Sequence, residues 1–360
     1  MVVVTVLNAI VVLLAYLAKF RNYRFMLAFA FLLLAVVLGI RYNYGNDYLS
    51  YKYIFVHGES DENAKIELGW LFLMTLFRPI GFYGFVFVLT LIEHIILWDI
   101  IRRHVNPNWY WLAVFLYVFN SDYMLIGLSM MRQFLVMLLG FYAVEFAVKK
   151  RLGYFLLIIS CGFLVHKITL LYMPLYFLPY ATKLFSSKWM FVAVFVLMTV
   201  VFVSMMKIVE VIIPIINDTG EIYAMKYISD KVLNDEHSLG RRYIIHYAIY
   251  MLFLFRNFNK LDNYGKCVAL EVVLGCFIIP FYNLFFLAIR LSWMFTIVEI
   301  ISFPLLVSME KKTILKYRTT FLFMIFVVLF EFRYIFNSET YGRHYQVFRT
   351  IFEAPDFYFI

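Results

Sequence analysis

Charged residues are scarce in this chain of 360 residues, because Asp, Glu, Lys and Arg together make up only 15% of it. Ordinary soluble domains contain about 25%. Hydrophobic residues account for 64% and come in long runs rather than in the one-sided stripes of soluble helices. A single soluble core cannot bury that much apolar surface, so the solvent must be a lipid bilayer. Soluble classes of protein are thereby excluded.

Cysteine, proline and glycine are also few. The three cysteines, Cys161, Cys267 and Cys276, all lie in apolar runs, and their spacing predicts neither a metal site nor a disulfide framework. No stretch rich in proline or glycine reads as a linker, and no internal repeat is visible. We therefore predict one polytopic membrane domain over residues 1–360.

Motifs of soluble enzymes are absent as well. The chain has no phosphate loop, no nucleophile elbow, no HExxH zinc motif and no closely spaced acidic pair for a metal-bound nucleotide sugar. We expect no metal and no cofactor. The net charge of +9 is explained by an excess of Lys and Arg in cytoplasmic loops. Because no basic domain large enough to dock nucleic acid lies outside the membrane, a nucleic-acid partner is not expected.

What the sequence does contain is a series of apolar segments, which predicts an all-α integral membrane protein. We count about twelve transmembrane helices, and several are short for a bilayer of about 30 Å. The first lacks a preceding basic region and a following cleavage site, so we expect a retained span rather than a signal peptide. A further apolar piece at 68–77 is too short to span and predicts a re-entrant or interfacial segment. The predicted spans are 2–18, 24–40, 81–101, 108–121, 124–148, 152–165, 168–180, 189–206, 243–256, 265–283, 285–309 and 319–336.

The distribution of basic residues predicts the orientation. Every second gap between spans is basic, as in Arg102-Arg103 and Lys149-Lys150, and the positive-inside rule places such gaps in the cytoplasm. Three longer polar segments, 41–67, 207–242 and 337–360, then lie on the external side. Within the second, residues 207–235 mix apolar and charged residues, which predicts amphipathic helices on the outer leaflet.

Five arginines depart from this rule, because they lie in or beside spans at the external side. Arg132 and Arg290 lie inside predicted spans, where an arginine costs at least about 2.5 kcal/mol on insertion scales. Arg41 follows the second span, and Arg241 and Arg242 precede the ninth. The guanidinium fork matches phosphate oxygens, so these residues are candidates for binding a lipid-borne pyrophosphate. The alternative is that each one snorkels outward or pairs with a helix end.

Two residues at the same side are candidates for a general base. Asp47 lies beside the cations and could accept a proton from a sugar hydroxyl, or it could be a turn residue of Gly45-Asn46-Asp47. His166 could serve instead of Asp47, or be an ordinary interfacial histidine. Glycan-binding candidates are Gln133 and the aromatic rings of Tyr44, Tyr48 and Tyr51, although most aromatic residues here are expected to pack or to anchor at the membrane interface.

Several ordered motifs resemble the EpsG-like, Wzy-type polymerases of bacterial surface polysaccharides. GIRYNYGNDYLSYKYIF (39–55) is similar to the family's pattern at the end of its second span, and LSMMRQ (128–133) is similar to its Arg-Gln pair. FLVH (163–166) resembles its Phe-His element. AIR (288–290), with Pro304 downstream, resembles its late Arg and Pro span, and YQVFRTIF (345–352) resembles its C-terminal element. The motifs cover nearly the whole chain in the family's order.

The resemblance implies a multi-pass enzyme of the bacterial inner membrane with its active site facing the periplasm. Such an enzyme transfers a growing glycan from one undecaprenyl-pyrophosphate carrier to another lipid-linked repeat unit, making a surface polysaccharide such as O antigen, capsule or exopolysaccharide. It also implies a fold related to the C-type, lipid-donor glycosyltransferases, and a chain-length regulator as a partner beside membrane lipids. Two alternatives stay open: a flippase for lipid-linked oligosaccharides, and an O-antigen ligase-type transferase. The sugars, the linkage and the anomeric outcome do not follow from the sequence.

Overall fold

The computed structural model describes residues 2–58, 66–185, 187, 189–201, 203–204, 237–283, 287–338 and 344–355. Helices dominate these residues, as predicted for an all-α membrane protein. A two-stranded pairing joins β1 (Arg41–Tyr42) to β2 (Arg349–Thr350). The α-helices, in chain order, are α1 (Val2–Leu17), α2 (Met26–Gly39), α3 (Tyr48–His57), α4 (Leu68–Leu76), α5 (Gly81–His104), α6 (Tyr110–Phe119), α7 (Met124–Ser129), α8 (Met131–Val148), α9 (Leu152–Val165), α10 (Leu178–Leu184), α11 (Trp189–Val201), α12 (His237–Asn257), α13 (Asn263–Ile278), α14 (Leu287–Thr296), α15 (Glu299–Met309) and α16 (Thr313–Phe336).

Within the described residues, five helical stretches are long and apolar enough to cross a membrane. The pair α14 and α15, bent by 48°, makes a sixth when it is taken as one broken span. Helices α1, α9 and α11 are apolar but shorter. Each of the twelve predicted segments overlaps a helix, yet the count of twelve spans stays a prediction. The five long stretches are Arg21–Gly39, Arg78–His104, Met131–Val148, Asn263–Phe281 and Thr313–Phe336.

The chain forms two compact units, residues 1–176 with 325–360, and residues 177–324. In the first unit, α2 packs against α5 and α1, α8 packs against α9, and α4 packs against α9. In the second unit, α13 packs against α14 and α15, and α12 packs against α15. Division into two units does not test the prediction of one polytopic domain.

The first unit contains two helix breaks inside the protein. The chain leaves α6 at Phe119, forms the six-residue helix α7, and enters α8 after a break at Met130. Asn120, Ser121 and Asp122 are all buried at the first break. The Asp122 backbone N–H donates to the Asn120 side-chain oxygen at 3.2 Å. Non-helical backbone at membrane depth is tolerated where protein surrounds it, and this stretch meets that condition.

The C-terminal segment is tied to the end of α2. In the antiparallel pairing, Arg41 lies opposite Thr350, and the Ile351 N–H donates to the Ile40 carbonyl at 2.8 Å. The buried Tyr345 hydroxyl donates to the Leu125 carbonyl at 2.8 Å. These bonds bring the last motif of the chain beside the first one, at 39–55.

Of two further predicted segments, 68–77 and 207–235, the structure describes the first. The segment 68–77 forms the nine-residue helix α4, as expected for a piece too short to span. The predicted amphipathic segment 207–235 lies outside the described residues. The three cysteines are free thiols.

Candidate functional site

The Glu67 carboxylate, just before α4, joins two of the predicted site residues. Its Oε2 accepts a hydrogen bond from Arg132 Nη1 at 2.7 Å. Its Oε1 lies 3.2 Å from His166 Nδ1 and accepts a hydrogen bond from the Lys167 backbone N–H at 3.1 Å. One carboxylate therefore holds a guanidinium, an imidazole and a main-chain amide in a single cluster, which we call the Glu67 cluster (Glu67, Arg132, His166 and the Lys167 amide).

Helix ends place the members of this cluster. Arg132 is the second residue of α8, and His166 follows the last residue of α9 with extended backbone. Because α8 and α9 are joined by a short connection and pack together, the start of α8 lies beside the end of α9. Glu67 approaches from α4, which lies directly on α9: a Cβ on Gly69 would be 2.6 Å from the Leu164 carbonyl oxygen. Only glycine permits this approach of helix to helix.

The cluster is sheltered but open on one side. The Glu67 side chain is 8% exposed, whereas those of Arg132 and His166 are 24% and 28% exposed. The pKa of Glu67 lies below its ordinary value. Burial raises it, but the Lys167 hydrogen bond and the charges of Arg132 and His166 together lower it by more. The cluster therefore contains an ionised carboxylate beside a guanidinium cation and an imidazole, and both of these side chains are partly exposed.

Asp47 lies next to this cluster. Its backbone N–H donates to the Ser129 hydroxyl at 3.4 Å, three residues before Arg132. Its side chain does not cap α3. The buried Tyr51 interacts electrostatically with both Asp47 and Arg132. Burial raises the Tyr51 pKa, Asp47 adds to the rise, and Arg132 opposes it.

A glycine holds the Asp47 loop in place. Gly45 has φ of +115°, which L-residues with a Cβ rarely adopt. A Cβ at Gly45 would also lie 2.8 Å from the Leu128 carbonyl oxygen. The loop therefore rests directly on the main chain of α7. This contact places the Asp47 loop beside Leu128 and Ser129, which lie just before Arg132 in the chain.

Arg41 occupies a different kind of position. It is 1% exposed, and its guanidinium donates to the Leu38 carbonyl and the Thr90 hydroxyl at 2.9 Å each, and to the Leu128 carbonyl at 3.4 Å. The side chain thus ties the end of α2 to α5 and α7. This burial gives Arg41 a positioning role in the structure, and phosphate binding by Arg41 stays a prediction.

The predicted sugar platform is also buried. Tyr44 and Tyr48 are 0% exposed and Tyr51 is 7% exposed. Tyr44 packs edge-on against Tyr345 and Phe348, with ring centroids 5.3 and 5.2 Å away. The Tyr48 hydroxyl donates to the Arg41 carbonyl at 2.9 Å. In the structure these rings are packed inside the protein, and their binding of a glycan stays a prediction. Gln133 is buried as well, at 4%.

The remaining predicted cations belong to the second unit. Arg290 lies in α14 with a partly buried side chain. Arg241 and Arg242 lie in the first turns of α12, and their side chains lie outside the described residues. Their roles stay predictions. Across the described part of the chain, no group of three or more His, Cys, Asp or Glu side chains could hold a metal ion.

Sequence reasoning missed Glu67, the central residue of the cluster. The available signal was its position as the last residue of the polar segment 41–67, directly before the short apolar segment. Its partners are 65 and 100 residues away along the chain, and no local pattern links them.

Comparison with known proteins gives one match. The model of the EpsG family matches residues 24–348 of this chain, which covers every predicted site residue. No curated protein and no solved structure matches the chain.

Proposed function

Because the chain belongs to the EpsG family, we propose that it is a polysaccharide polymerase of the bacterial inner membrane. Its donor and acceptor are undecaprenyl-pyrophosphate-linked oligosaccharide repeat units, joined by glycosyl transfer at the periplasmic face. The observation that carries this proposal is the Glu67 cluster, in which one carboxylate pairs with the partly exposed Arg132 guanidinium and lies 3.2 Å from His166 Nδ1. Asp47 lies beside it as a second candidate base.

The reaction makes two chemical demands on the protein. The acceptor hydroxyl oxygen attacks the anomeric carbon of the donor while the bond from that carbon to the lipid pyrophosphate breaks. The hydroxyl proton passes to a base, and the electron pair of the broken bond leaves on the pyrophosphate. Since a pyrophosphate is already a good leaving group, the site must stabilise an anion and accept a proton, and it needs no strong acid.

Arg132 is the proposed anion ligand. Glu67 engages its Nη1, and the side chain of Arg132 is partly exposed. A guanidinium tethered on one edge can still present donors to phosphate oxygens on another. Arg290, Arg241 and Arg242 stay candidates for phosphate binding from their positions in the sequence.

His166 is the proposed base, with Glu67 as its positioning residue. A carboxylate facing Nδ1 favours the tautomer that carries its proton there and leaves Nε2 as the acceptor. The same logic governs the carboxylate–histidine pair of hydrolase triads. Asp47 stays the alternative, because its backbone binds Ser129, three residues before Arg132, and Tyr51 interacts electrostatically with both Asp47 and Arg132.

The test uses purified protein and a synthetic lipid-linked repeat unit, with products separated on a gel. A ladder of products supports a polymerase. Product that forms only with a second, unlike acceptor indicates a ligase, and transport in liposomes without product indicates a flippase. Arg132→Ala, His166→Ala and Asp47→Ala should remain folded, and the first two should abolish long products. Arg151→Ala, an exposed arginine at the opposite end of α9, is the control and should leave the ladder unchanged. If Arg132→Ala still makes full-length glycan, the site assignment is wrong.

A further inference from the structure

An apolar groove runs between α2 and α5, away from the Glu67 cluster. Its volume is about 430 Å³, within the roughly 300–1,000 Å³ of ligand-binding pockets. Four of its side chains are between 48% and 60% exposed, so the groove is open along its length. Those four are Phe25, Phe29, Leu32 and Ile95.

The groove wall offers almost no polar atom to a ligand. His94 is its one ionisable lining residue, and both ring nitrogens are turned to protein partners. Nδ1 lies 2.7 Å from the Thr90 carbonyl oxygen, and Nε2 lies 3.2 Å from the Tyr117 hydroxyl. A polar solute would lose its hydrogen bonds to water here without replacing them. The wall therefore suits a hydrocarbon chain.

One end of the groove is cationic. Phe25 directly follows the exposed Arg24, and the Arg102 guanidinium lies 4.8 Å from the centre of the Trp98 ring, which lines the groove. Both arginines are close enough to the Tyr110 hydroxyl to interact with it electrostatically. That hydroxyl donates to the Arg102 carbonyl at 3.2 Å. Two cations thus flank the point where the apolar walls end.

The carboxylate at this end does not cancel the positive charge. Asp99 pairs with Arg102 at 3.3 Å and with Arg103 at 2.8 Å, and Arg103 also pairs with Glu145. The Arg102 side chain is 53% exposed, and exposed ion pairs of this kind are weak. Arg102 can therefore accept an additional anion, and the described residues supply no carboxylate ion pair to Arg24.

We propose that this groove is a binding site for an anionic phospholipid, with one acyl chain between α2 and α5 and the phosphate between Arg24 and Arg102. Basic residues at the ends of membrane helices attract anionic headgroups, each contributing an attraction equivalent to about a fivefold change in affinity. The volume suits a single acyl chain, whereas the long tail of an undecaprenyl carrier would extend far beyond it. This lipid site is separate from the proposed glycosyl transfer, and its test does not depend on polymerase activity.

Native mass spectrometry of the full chain in detergent, with lipid added back, tests the site. Phosphatidylglycerol and phosphatidylcholine with identical acyl chains are compared singly and in competition. We expect preferential retention of phosphatidylglycerol. Arg24→Gln and Arg102→Gln should each weaken it about fivefold, and Ala28→Phe, which fills the groove, should weaken both lipids. The matched controls are Arg151→Gln and Ala9→Phe, which change an exposed arginine and an exposed alanine elsewhere and should have no effect.

Three outcomes would overturn the proposal. Equal retention of the two phospholipids excludes headgroup selection. Unchanged phosphatidylglycerol binding in Ala28→Phe, with the protein monodisperse on size-exclusion chromatography, excludes the groove. Undecaprenyl phosphate, used as a third lipid probe, shows whether the hydrocarbon chain in the groove belongs to a phospholipid or to a carrier lipid. If it alone responds to these variants, the groove holds a carrier lipid instead of a phospholipid.

Discussion

Gly69 in α4 lies against the main chain of Leu164 in α9, so closely that a Cβ at Gly69 would be 2.6 Å from the Leu164 carbonyl oxygen. Glu67 comes two residues before Gly69, and His166 comes two residues after Leu164. The contact between the two helices therefore sets the distance between the carboxylate and the imidazole of the Glu67 cluster. A residue with no side chain controls the geometry of a site to which it contributes no functional group.

Gly69→Ala should lower polymerase activity by about 100-fold, because the new methyl group must push α4 away from α9 and move Glu67 by roughly 1 Å. The measurement is the rate of ladder formation from the lipid-linked repeat, with folding followed by size-exclusion chromatography. Gly153→Ala in α9 is the matched control, since a Cβ there meets nothing within 4 Å. Equal activity of the two variants would show that the α4–α9 contact does not position the site.

Glu67→Gln should shift the pH dependence of the reaction. A neighbouring carboxylate favours the protonated imidazolium, and Glu67→Gln removes that carboxylate charge. If His166 is the base, the acidic limb of the pH–rate profile therefore moves to lower pH, while the maximal rate falls because the imidazole loses its orientation. The profile of Asp47→Asn separates the two candidate bases. If that variant alone loses the acidic limb, the proton goes to Asp47.

Arg41→Ala should destabilise the fold, in contrast to Arg132→Ala. Arg41 is enclosed and donates to acceptors in three elements, so its loss leaves those buried acceptors unsatisfied and opens a cavity. We expect a loss of about 3 kcal/mol in the free energy of unfolding. Replacing the partly exposed Arg132 by alanine should lower the free energy of unfolding by less than about 1 kcal/mol. Thermal unfolding in detergent compares them, and similar midpoints for the two variants would contradict the positioning role of Arg41.

Glu310→Gln should remove a stabilising ion pair of the second unit. Arg256 Nε donates to Glu310 at 2.6 Å. That hydrogen bond lowers the Glu310 pKa to about 2 from an ordinary 4.5, although burial opposes the shift. A depressed pKa means that the stabilisation is complete above about pH 4.5 and disappears as the pH falls towards 2. The difference in unfolding midpoint between the wild-type chain and Glu310→Gln should therefore be large at pH 7 and shrink below pH 4.5. If this difference in unfolding midpoint does not depend on pH, Glu310 stabilises the fold through packing and not through its charge.

Much of the helical framework follows from the sequence, because lipid requires every backbone group to be paired within the chain and so leaves helices as the solution for long apolar runs. The length of 68–77 likewise predicts the short helix α4. Arg132 and His166 could be identified as candidates from the sequence, because polar groups inside or beside apolar runs are costly and therefore rare. Asp47 was recognisable from its neighbours in the motif at 39–55.

The chain by itself therefore determined the class of protein, the positions of its helices and the cations and bases worth testing. Only the tertiary structure decided their partners. Glu67 gained its importance from contacts 65 and 100 residues away. Contacts with α5 and α7 bury Arg41, and contacts with the C-terminal segment bury Tyr44. Burial and pairing depend on which surfaces meet, and a hydrophobic pattern specifies that a helix must be covered by lipid or protein without specifying which helix covers it.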